Sequence, residues 1–458
     1  MQLRILSLVR IVLLVVVAVN AVGPAEGALR AGAARLSIVP PFPTQMGGFF
    51  DRHQNFEGVH DEIFARALVL ENNGTKLVII GSDLMSVDVD LVRLARAGIQ
   101  QGAGIPAANI LICCTHNHSA PSFYQKTALG QDDQEPSLKR FLAKQFIEAA
   151  LTANRSLAPA KLGFAAGRLE GATRNRQQKN DLIDSQVGVL RVEELSSRQT
   201  IATLFNFTGH PVIIGSENLL LSGEYPGAAS RAVENLLGGV AIFTQGACGD
   251  ITVNRSGDPF QEIERLGRTV AGEVIKTSGF VTFTEDPILK SATQTSPLRA
   301  REIPSLSDAQ AELERGKRAL ESAQQKQSPA SVIQLLEDKN RVLSVAVLKA
   351  QAIAENPSKK ETELTADVQV LQIGPAIYAA IPGELFVEYA LELRSRVKQE
   401  TGHPFCLIGY ANGYLGYIVT PRAMETGGYE ASVTRLEVLA GRTLTEGAMD
   451  LVRQLEQK

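Results

Sequence analysis

Short apolar runs typical of β-strands alternate with amphipathic helical stretches from Leu29 to about Thr295. The first examples are the apolar segment Ala67 to Ile80, the helical stretch near Val87 to Gln101 and the strand-like run Ile110 to Cys114. Such alternation predicts an α/β (α+β) fold, with mixed β-sheets layered against flanking helices. It favours one continuous architecture over a string of small modules, and we predict a single domain over residues 28–458.

A polar helical segment interrupts this pattern between Pro304 and Pro357. Two amphipathic stretches there predict a helical hairpin over 304–357 that turns near Ser328-Pro329, and the pair Ser307 and Gln310 has the spacing of a capping box. A packing insert is the simplest interpretation, with a dimerisation arm or a substrate-gating lid as alternatives. The strand and helix pattern then resumes. Further strands are predicted at Val187–Val192, Ile201–Phe207, Val240–Thr244, Val368–Ile373, Ile377–Ile381 and Phe405–Gly409, and helices at Pro226–Leu237 and Glu384–Gln399.

Residues 1–27 have the order of a secretory signal peptide: basic residues, an apolar run and then small residues. This segment predicts export to the periplasm or the extracellular space, and an uncleaved membrane anchor is the alternative. Export would permit disulfide bonds. Cys113 and Cys114 nevertheless stand in an apolar run typical of buried free thiols, while a Cys248–Cys406 bridge stays open.

The charge balance and the cysteine content argue against several classes of function. The 46 Lys and Arg residues nearly balance 49 Asp and Glu residues, so nucleic acid is disfavoured as a partner. No CxxC pair exists to hold a metal, and any metal site must therefore use histidine and carboxylates. The sequence also lacks a GxSxG nucleophile elbow, a phosphate-binding GxxxxGK[ST] loop and an HExxH helix.

Three of the six histidines follow predicted strands. His116 and His118 come directly after Ile110 to Cys114, and residues i and i+2 of a strand share a face, so we expect the two rings to converge. His210 follows another strand in a Gly-His-Pro turn and is a third candidate ligand. Glu384 follows Pro382-Gly383, where it either complements the dipole of the predicted helix or is a metal ligand.

Two or three histidines with one carboxylate and an open position are typical of catalytic zinc. Such a metal lowers the pKa of its water to about 7. The turn from Gln245 to Asp250 contains two glycines, Gly246 among them, and either presents N–H groups to a developing oxyanion or is only a tight loop.

The ordered set of these motifs resembles the catalytic domain of the neutral/alkaline non-lysosomal ceramidase family. The resemblance extends over nearly the whole chain after the signal peptide. Its pieces are Met46-Gly-Gly48, Gly58-Val-His60, Ser82-Asp-Leu84, Thr115-His-Asn-His-Ser119, Asn175-Arg176, Gly209-His210, Pro382-Gly-Glu384, Asn412-Gly-Tyr-Leu-Gly-Tyr417 and Tyr429-Glu430.

This resemblance implies one zinc ion per chain, with His116, His210, Glu384 and Tyr417 as ligands. It implies that His118 lies beside the water on the metal and transfers protons or stabilises the tetrahedral intermediate. Arg176, Gly246, Asp250 and Tyr429 would contact the substrate or support the ligands, and structural roles for Arg176 and Tyr429 are the alternative.

The sequence also departs from the family. Members that cleave sphingolipid amides have a serine in the turn that matches Gln245-Gly246, so this comparison implies that a hydroxyl is missing at Gly246. Glu224 stands where the family commonly has Asp. We expect no counterpart of the family's immunoglobulin-like C-terminal domain, and the hairpin is an addition or a replacement.

These observations favour an exported zinc-dependent hydrolase that cleaves an amide bond in an N-acyl lipid or a related amide with metal-activated water. A lipid substrate is compatible with peripheral contact with a membrane. The alternatives are a metal-dependent esterase or phosphoesterase and a catalytically inactive binding protein of the cell envelope. Nothing in the sequence indicates the oligomeric state.

Overall fold

The computed structural model describes residues 28–49, 52–122, 136–177, 180–357, 360 and 362–457, and the predicted signal peptide lies outside them. The strands are β1 Arg30–Ser37, β2 Gly58–Val59, β3 Phe64–Asn72, β4 Thr75–Ser82, β5 Ile110–Cys114, β6 Ala158–Arg168, β7 Thr173–Asn175, β8 Gln186–Glu194, β9 Thr200–Phe207, β10 Leu220–Leu221, β11 Val240–Gln245, β12 Ile251–Val253, β13 Leu289–Arg299, β14 Glu363–Ile373, β15 Ala376–Ala380, β16 Glu384–Leu385, β17 Phe405–Ile408 and β18 Tyr417–Ile418. The helices are α1 Val89–Ala103, α2 Pro136–Arg155, α3 Glu224–Leu237, α4 Pro259–Ser278, α5 Leu306–Gln325, α6 Ala330–Glu355, α7 Val387–Thr401, α8 Pro421–Thr426, α9 Tyr429–Val433 and α10 Ala440–Glu456.

Two β-sheets packed face to face form the centre of the molecule. The larger is an eight-stranded mixed sheet in the order β11-β9-β8-β6-β1-β3-β4-β5, and the smaller has the order β13-β14-β15-β17. Leu68 and Leu111 of the large sheet share one apolar cluster with Leu371 and Tyr378 of the small sheet. Helices α1 to α4 cover the outer face of the large sheet, and α7 and α10 cover that of the small sheet. The predicted fold class, mixed sheets layered between helices, is confirmed.

The eight-stranded sheet is strongly curled. Its edge strand β11 contacts β3, β4 and β5, which lie towards the opposite edge of the same sheet. Gly81 in β4 permits this approach: a Cβ atom there would lie 2.8 Å from Ile242 Cγ2 of β11. The curl brings the segments that follow β5, β9 and β11 together. Those segments carry the histidines and the glycine-containing turn singled out in the sequence.

The helical hairpin predicted between Pro304 and Pro357 corresponds to α5 and α6, which pack against each other. The close approach occurs at Gly316, where a Cβ atom would lie 2.1 Å from Asn340 Oδ1. The predicted capping box at Ser307 is wrong, because Ser305 caps α5 by accepting a hydrogen bond from the backbone N–H of Asp308 at 3.1 Å. Helix α6 also contacts the short helix α9.

All four cysteines are buried and free, which confirms the interpretation of Cys113 and Cys114 and decides against a Cys248–Cys406 bridge in this structure. Within the part of the chain that the structure describes, none of the helices combines the length and apolar character needed to span a bilayer.

Candidate metal centre

Three histidine side chains converge in a buried cluster. His116 Nε2 lies 3.0 Å from His210 Nε2 and 3.2 Å from His118 Nε2. Their exposed fractions are 2% for His116, 8% for His118 and 1% for His210. One ligand atom from each residue lies within 4.8 Å of the others, so the three could hold a metal ion. The structure thus brings together the histidines that the sequence analysis selected.

The backbone conformation that brings His116 and His118 together differs from the extended strand that the sequence analysis expected. Strand β5 ends at Cys114, and His116 has a φ of 64°, in the left-handed region. A turn therefore aims His116 and His118 at one point, and the expected alternation along an extended strand is wrong. Non-glycine residues at positive φ carry a steric cost and cluster at functional sites.

A buried glutamine fixes the two strand ends relative to each other. Gln245, the last residue of β11, donates from Nε2 to the carbonyl oxygens of Thr115 at 3.1 Å and Gly209 at 2.9 Å. Its Oε1 accepts from the N–H of Gly209 at 3.0 Å. Thr115 and Gly209 immediately precede His116 and His210, so this one side chain sets the relative position of both imidazoles.

Backbone carbonyls determine which nitrogen of two histidines carries the proton. His116 Nδ1 lies 2.9 Å from the Met85 carbonyl oxygen, and His210 Nδ1 lies 2.8 Å from that of Cys248. A carbonyl oxygen only accepts, so each Nδ1 is protonated and each Nε2 of a neutral ring presents a lone pair. Two lone pairs facing each other at 3.0 Å need a cation near them. Metal-ligating histidines have this arrangement, with the second ring nitrogen donating to a carbonyl.

Two of the three rings resist protonation. Burial, followed by the charge of Arg176 and the neighbouring imidazoles, lowers the pKa of His210 well below its ordinary value. Burial, His116 and Arg52 do the same to the pKa of His118. Both rings are therefore neutral near pH 7, which is the form that binds metals.

Glu384 adds an oxygen to the cluster. Its Oε2 lies 3.3 Å from His116 Nε2 and 3.5 Å from His210 Nε2, and among the described residues no hydrogen-bond donor reaches it. Tyr414 donates its hydroxyl hydrogen to the other oxygen, Oε1. The helix predicted to begin at Glu384 instead begins at Val387, and Glu384 lies in β16, which pairs in parallel with β18. The helix-dipole interpretation of Glu384 is therefore wrong, and an unpaired carboxylate oxygen faces the imidazoles.

Tyr417 lies directly opposite Glu384 in the β16–β18 pair. Its hydroxyl oxygen accepts from Arg176 NH2 at 3.2 Å. Burial and the Glu384 carboxylate raise the pKa of Tyr417 well above its ordinary value, while Arg176 acts in the opposite direction. The Tyr429 ring centroid is 5.9 Å from that of Tyr417, and Tyr429 is 38% exposed, so it forms the outer side of the centre. Coordination by Tyr417 stays a prediction.

The glycine-containing turn after β11 packs against neighbouring backbone. A Cβ atom at Gly246 would lie 2.0 Å from Thr208 Oγ1, so close packing with Thr208 accounts for the glycine. Asp250 is buried, and its two oxygens accept from Val387 N at 2.8 Å and Asn175 Nδ2 at 2.7 Å. Burial raises the pKa of Asp250 to about 6. Asp250 thus ties β7 to the start of α7 and touches no histidine.

Sequence reasoning missed several residues of the centre. Tyr414 bonds Glu384, Tyr410 stacks on the His116 ring with centroids 4.1 Å apart, and Glu430 pairs with Arg176. Tyr414 and Glu430 stand within motifs quoted for the family resemblance, and that position was the available signal. Gln245 begins the turn singled out in the sequence, but its role had no signal there, because that role depends on the contact between three strand ends.

Comparisons with known proteins show what the chain is similar to. Residues 32–265 match the family described as neutral/alkaline non-lysosomal ceramidase, N-terminal. The chain is 27% identical over 240 residues to neutral ceramidase B of Dictyostelium discoideum, a match that covers 46% of this chain and 33% of that protein. It is 24% identical over 265 residues to the neutral ceramidase of Mycobacterium tuberculosis, covering 49% of this chain and 41% of that protein. The chain thus matches less than half the length of these curated relatives.

The fold extends the similarity beyond the matched sequence. The crystal structure of neutral ceramidase from Pseudomonas aeruginosa superposes with a TM-score of 0.75 at 20% identity, covering 94% of this chain and 75% of that chain. A ceramidase structure complexed with C2 gives a TM-score of 0.74 at 18% identity. The fold of this chain therefore agrees with that of these ceramidase structures over 94% of its length, well beyond the 234 residues from 32 to 265 that the family model matches.

Proposed function

The chain belongs to the neutral/alkaline non-lysosomal ceramidase family, and from this premise we propose that it is an exported zinc-dependent hydrolase that cleaves an amide bond in an N-acyl lipid or a related amide. One observation carries the metal part of the proposal: the Nε2 atoms of His116 and His210 and an unpaired carboxylate oxygen of Glu384 meet at one buried point. Nitrogen and oxygen donors of this kind suit zinc.

In this proposal His116 and His210 bind zinc through Nε2, Glu384 binds through Oε2, and Tyr417 supplies its hydroxyl oxygen. When bound, zinc acts as a Lewis acid that lowers the pKa of water to about 7 and polarises a carbonyl group. The Nδ1 hydrogen bonds of both histidines hold the rings in the required orientation.

His118 is suited to moving a proton. Its ring is neutral because burial and neighbouring charges lower its pKa, and its Nε2 lies 3.2 Å from His116 Nε2. A neutral imidazole at this position can accept a proton from the attacking water and return it to the leaving amine nitrogen. The low exposure of the cluster excludes bulk water, which strengthens electrostatic interactions within it.

Arg176 places a positive charge at the open side of the centre. It donates to the Tyr417 hydroxyl at 3.2 Å and keeps 25% of its side chain exposed. Negative charge develops on the carbonyl oxygen as water attacks an amide, and a fixed cation nearby stabilises it. The names of the relatives support a lipid amide as substrate.

Export rests on the leader-like order of residues 1–27. N-terminal sequencing of the protein purified from the producing cell tests it: a mature chain beginning near Ala28 supports cleavage, and an intact Met1 contradicts it.

Zinc content and turnover test the proposed activity. We expect about one zinc per chain in the wild type. Replacing His116 and His210 together with Ala removes two nitrogen donors, and both zinc and turnover should be lost. His403→Ala is the matched control, since His403 lies 3.4 Å from Glu456 and away from the cluster, and it should retain both.

The substrate test compares amide, ester and phosphodiester substrates on the same zinc-loaded preparation. Faster cleavage of N-acyl amides supports the proposal. Normal turnover by the zinc-free double variant refutes zinc dependence, and activity restricted to esters or phosphodiesters replaces the amidase by the alternative hydrolases.

A further inference from the structure

A buried carboxylate lies on the far side of Arg176 from the metal centre. Glu430, in the first turn of α9, has a side chain only 5% exposed. Its Oε1 lies 2.9 Å from Arg176 Nε, and its Oε2 accepts from Gln177 Nε2 at 2.6 Å. Both oxygens of Glu430 therefore hold consecutive residues in the segment that follows β7.

The other end of Arg176 reaches the centre. Its NH2 donates to the Gly249 carbonyl at 2.6 Å and to the Tyr417 hydroxyl at 3.2 Å, and its backbone N–H donates to the Asp250 carbonyl at 2.9 Å. The guanidinium thus spans the gap between Glu430 and Tyr417. The Arg176 guanidinium is planar and rigid, so an ion pair with Glu430 on one side limits the directions in which NH2 can point.

The helix that carries Glu430 contacts the hairpin. Helix α9 packs against α6 and follows Gly427 and Gly428, whose φ values are 77° and 114°. The two glycines allow the chain to turn sharply into α9, which brings Glu430 inward while Tyr429 faces outward. The contact between α6 and α9 therefore links the hairpin to the helix that carries this carboxylate.

We propose that Glu430 is a positioning residue of the active site: it holds the Arg176 guanidinium, and through it the Tyr417 hydroxyl, in the orientation that the reaction requires. This inference rests on the proposed function, because it assigns Arg176 and Tyr417 to the reacting centre. Residues that orient metal ligands from outside typically change metal affinity or activity by about 10–100-fold when replaced.

The test compares Glu430→Gln with Glu425→Gln. Both remove one negative charge, and Glu425 is exposed on α8. We expect Glu430→Gln to lower kcat by about 10–100-fold with little change in KM, because the orientation of Arg176 matters in the transition state. Glu425→Gln should match the wild type. Gln177→Ala is a milder substitution that keeps the Arg176–Glu430 ion pair. We expect it to fold and to lower kcat by a smaller factor than Glu430→Gln.

A double-mutant cycle with Arg176→Ala separates positioning from general structural support. If Glu430 acts through Arg176, Glu430→Gln causes no further loss of kcat in a chain that already carries Arg176→Ala. Independent, multiplicative losses overturn the proposal, as does an unchanged kcat in Glu430→Gln.

A spectroscopic measurement keeps this inference distinct from the proposed amidase activity. The visible spectrum of the cobalt-substituted protein reports the arrangement of ligands without any substrate. If the wild type cleaves no amide, the proposed function fails, and the spectrum still decides the role of Glu430. A change in Glu430→Gln that is absent from Glu425→Gln supports positioning, and identical spectra for all three proteins overturn it.

Discussion

Replacing Tyr414 with Phe should weaken zinc binding while leaving the fold intact. The Tyr414 hydroxyl donates to Glu384 Oε1 and leaves Oε2 as the oxygen that faces the imidazoles. The substitution keeps the aromatic ring, which stacks on Tyr410 with centroids 6.4 Å apart. It removes the hydroxyl that donates to Glu384, so Glu384 gains freedom to rotate away from the site.

The size of the expected loss of zinc affinity follows from the negative charge of Glu384, which accepts the hydrogen bond. A hydrogen bond to a charged group contributes about 1.5–3 kcal/mol. Each 1.4 kcal/mol corresponds to about a tenfold change in an equilibrium constant. We therefore expect the zinc affinity of Tyr414→Phe to fall by about 10–100-fold, which matches the usual effect of removing a partner of a metal ligand.

The assay is competition for zinc with a chromogenic chelator, with thermal unfolding of the metal-free protein as the test of folding. Tyr389→Phe is the matched control, because its hydroxyl donates to the neutral Val419 carbonyl at 3.4 Å in the core beneath α7. It should bind zinc like the wild type. A folded Tyr414→Phe protein with wild-type zinc affinity would refute the reasoning that Tyr414 orients Glu384 as a ligand.

Two further predictions concern stability. Gly246→Ser should cost about 1–3 kcal/mol of unfolding free energy from overpacking, because a Cβ atom would lie 2.0 Å from Thr208 Oγ1. Thr208→Ala in the same chain should restore part of it in urea titrations, whereas an unchanged stability with faster turnover would revive the missing-hydroxyl interpretation. Burial raises the pKa of Glu224 from 4.5 to about 7, although N–H groups of Tyr225, Ile214 and Ile213 oppose it. The folded state therefore holds a proton that the unfolded state releases, and stability falls as pH rises from about 4.5 through 7, by about 3 kcal/mol in total. Glu224→Gln cannot titrate and should flatten this part of the profile in urea titrations at pH 5 and pH 8, so an equally steep profile would contradict the assignment.

Local patterns in the sequence predicted most of the secondary structure, because apolar periodicity and turn residues act over a few positions. The strand Ile110–Cys114 was located to the residue, and α3 differs from its prediction only at its first turn. The helix predicted from Glu384 was wrong at its start. Pro382-Gly383 does end β15, but pairing with β18, distant in sequence, holds Glu384 in a strand.

The residues of the candidate site also divide into those that the sequence indicated and those whose roles only the structure revealed. Histidines placed after strands in a histidine-poor chain pointed to His116, His118 and His210. The Pro-Gly turn made Glu384 a candidate ligand, and the family resemblance alone added Tyr417. The roles of the supporting residues could not be predicted from the sequence, although Tyr414 and Glu430 stand within the family motifs. Gln245, Tyr414 and Glu430 act through contacts with residues 30 to 253 positions away in the chain.

The sequence by itself determined the alternation of strands and helices, the absence of a cysteine metal site and the residues able to bind a metal, since each of these depends on residue type and local spacing. Only the tertiary structure decided that these residues meet. The curl of the large sheet places β11 against β5, and this lets Gln245 join the ends of β5 and β9. Burial then lowers the pKa of His118 and His210, and this favours the neutral form of these two rings, which is the form that binds a metal ion.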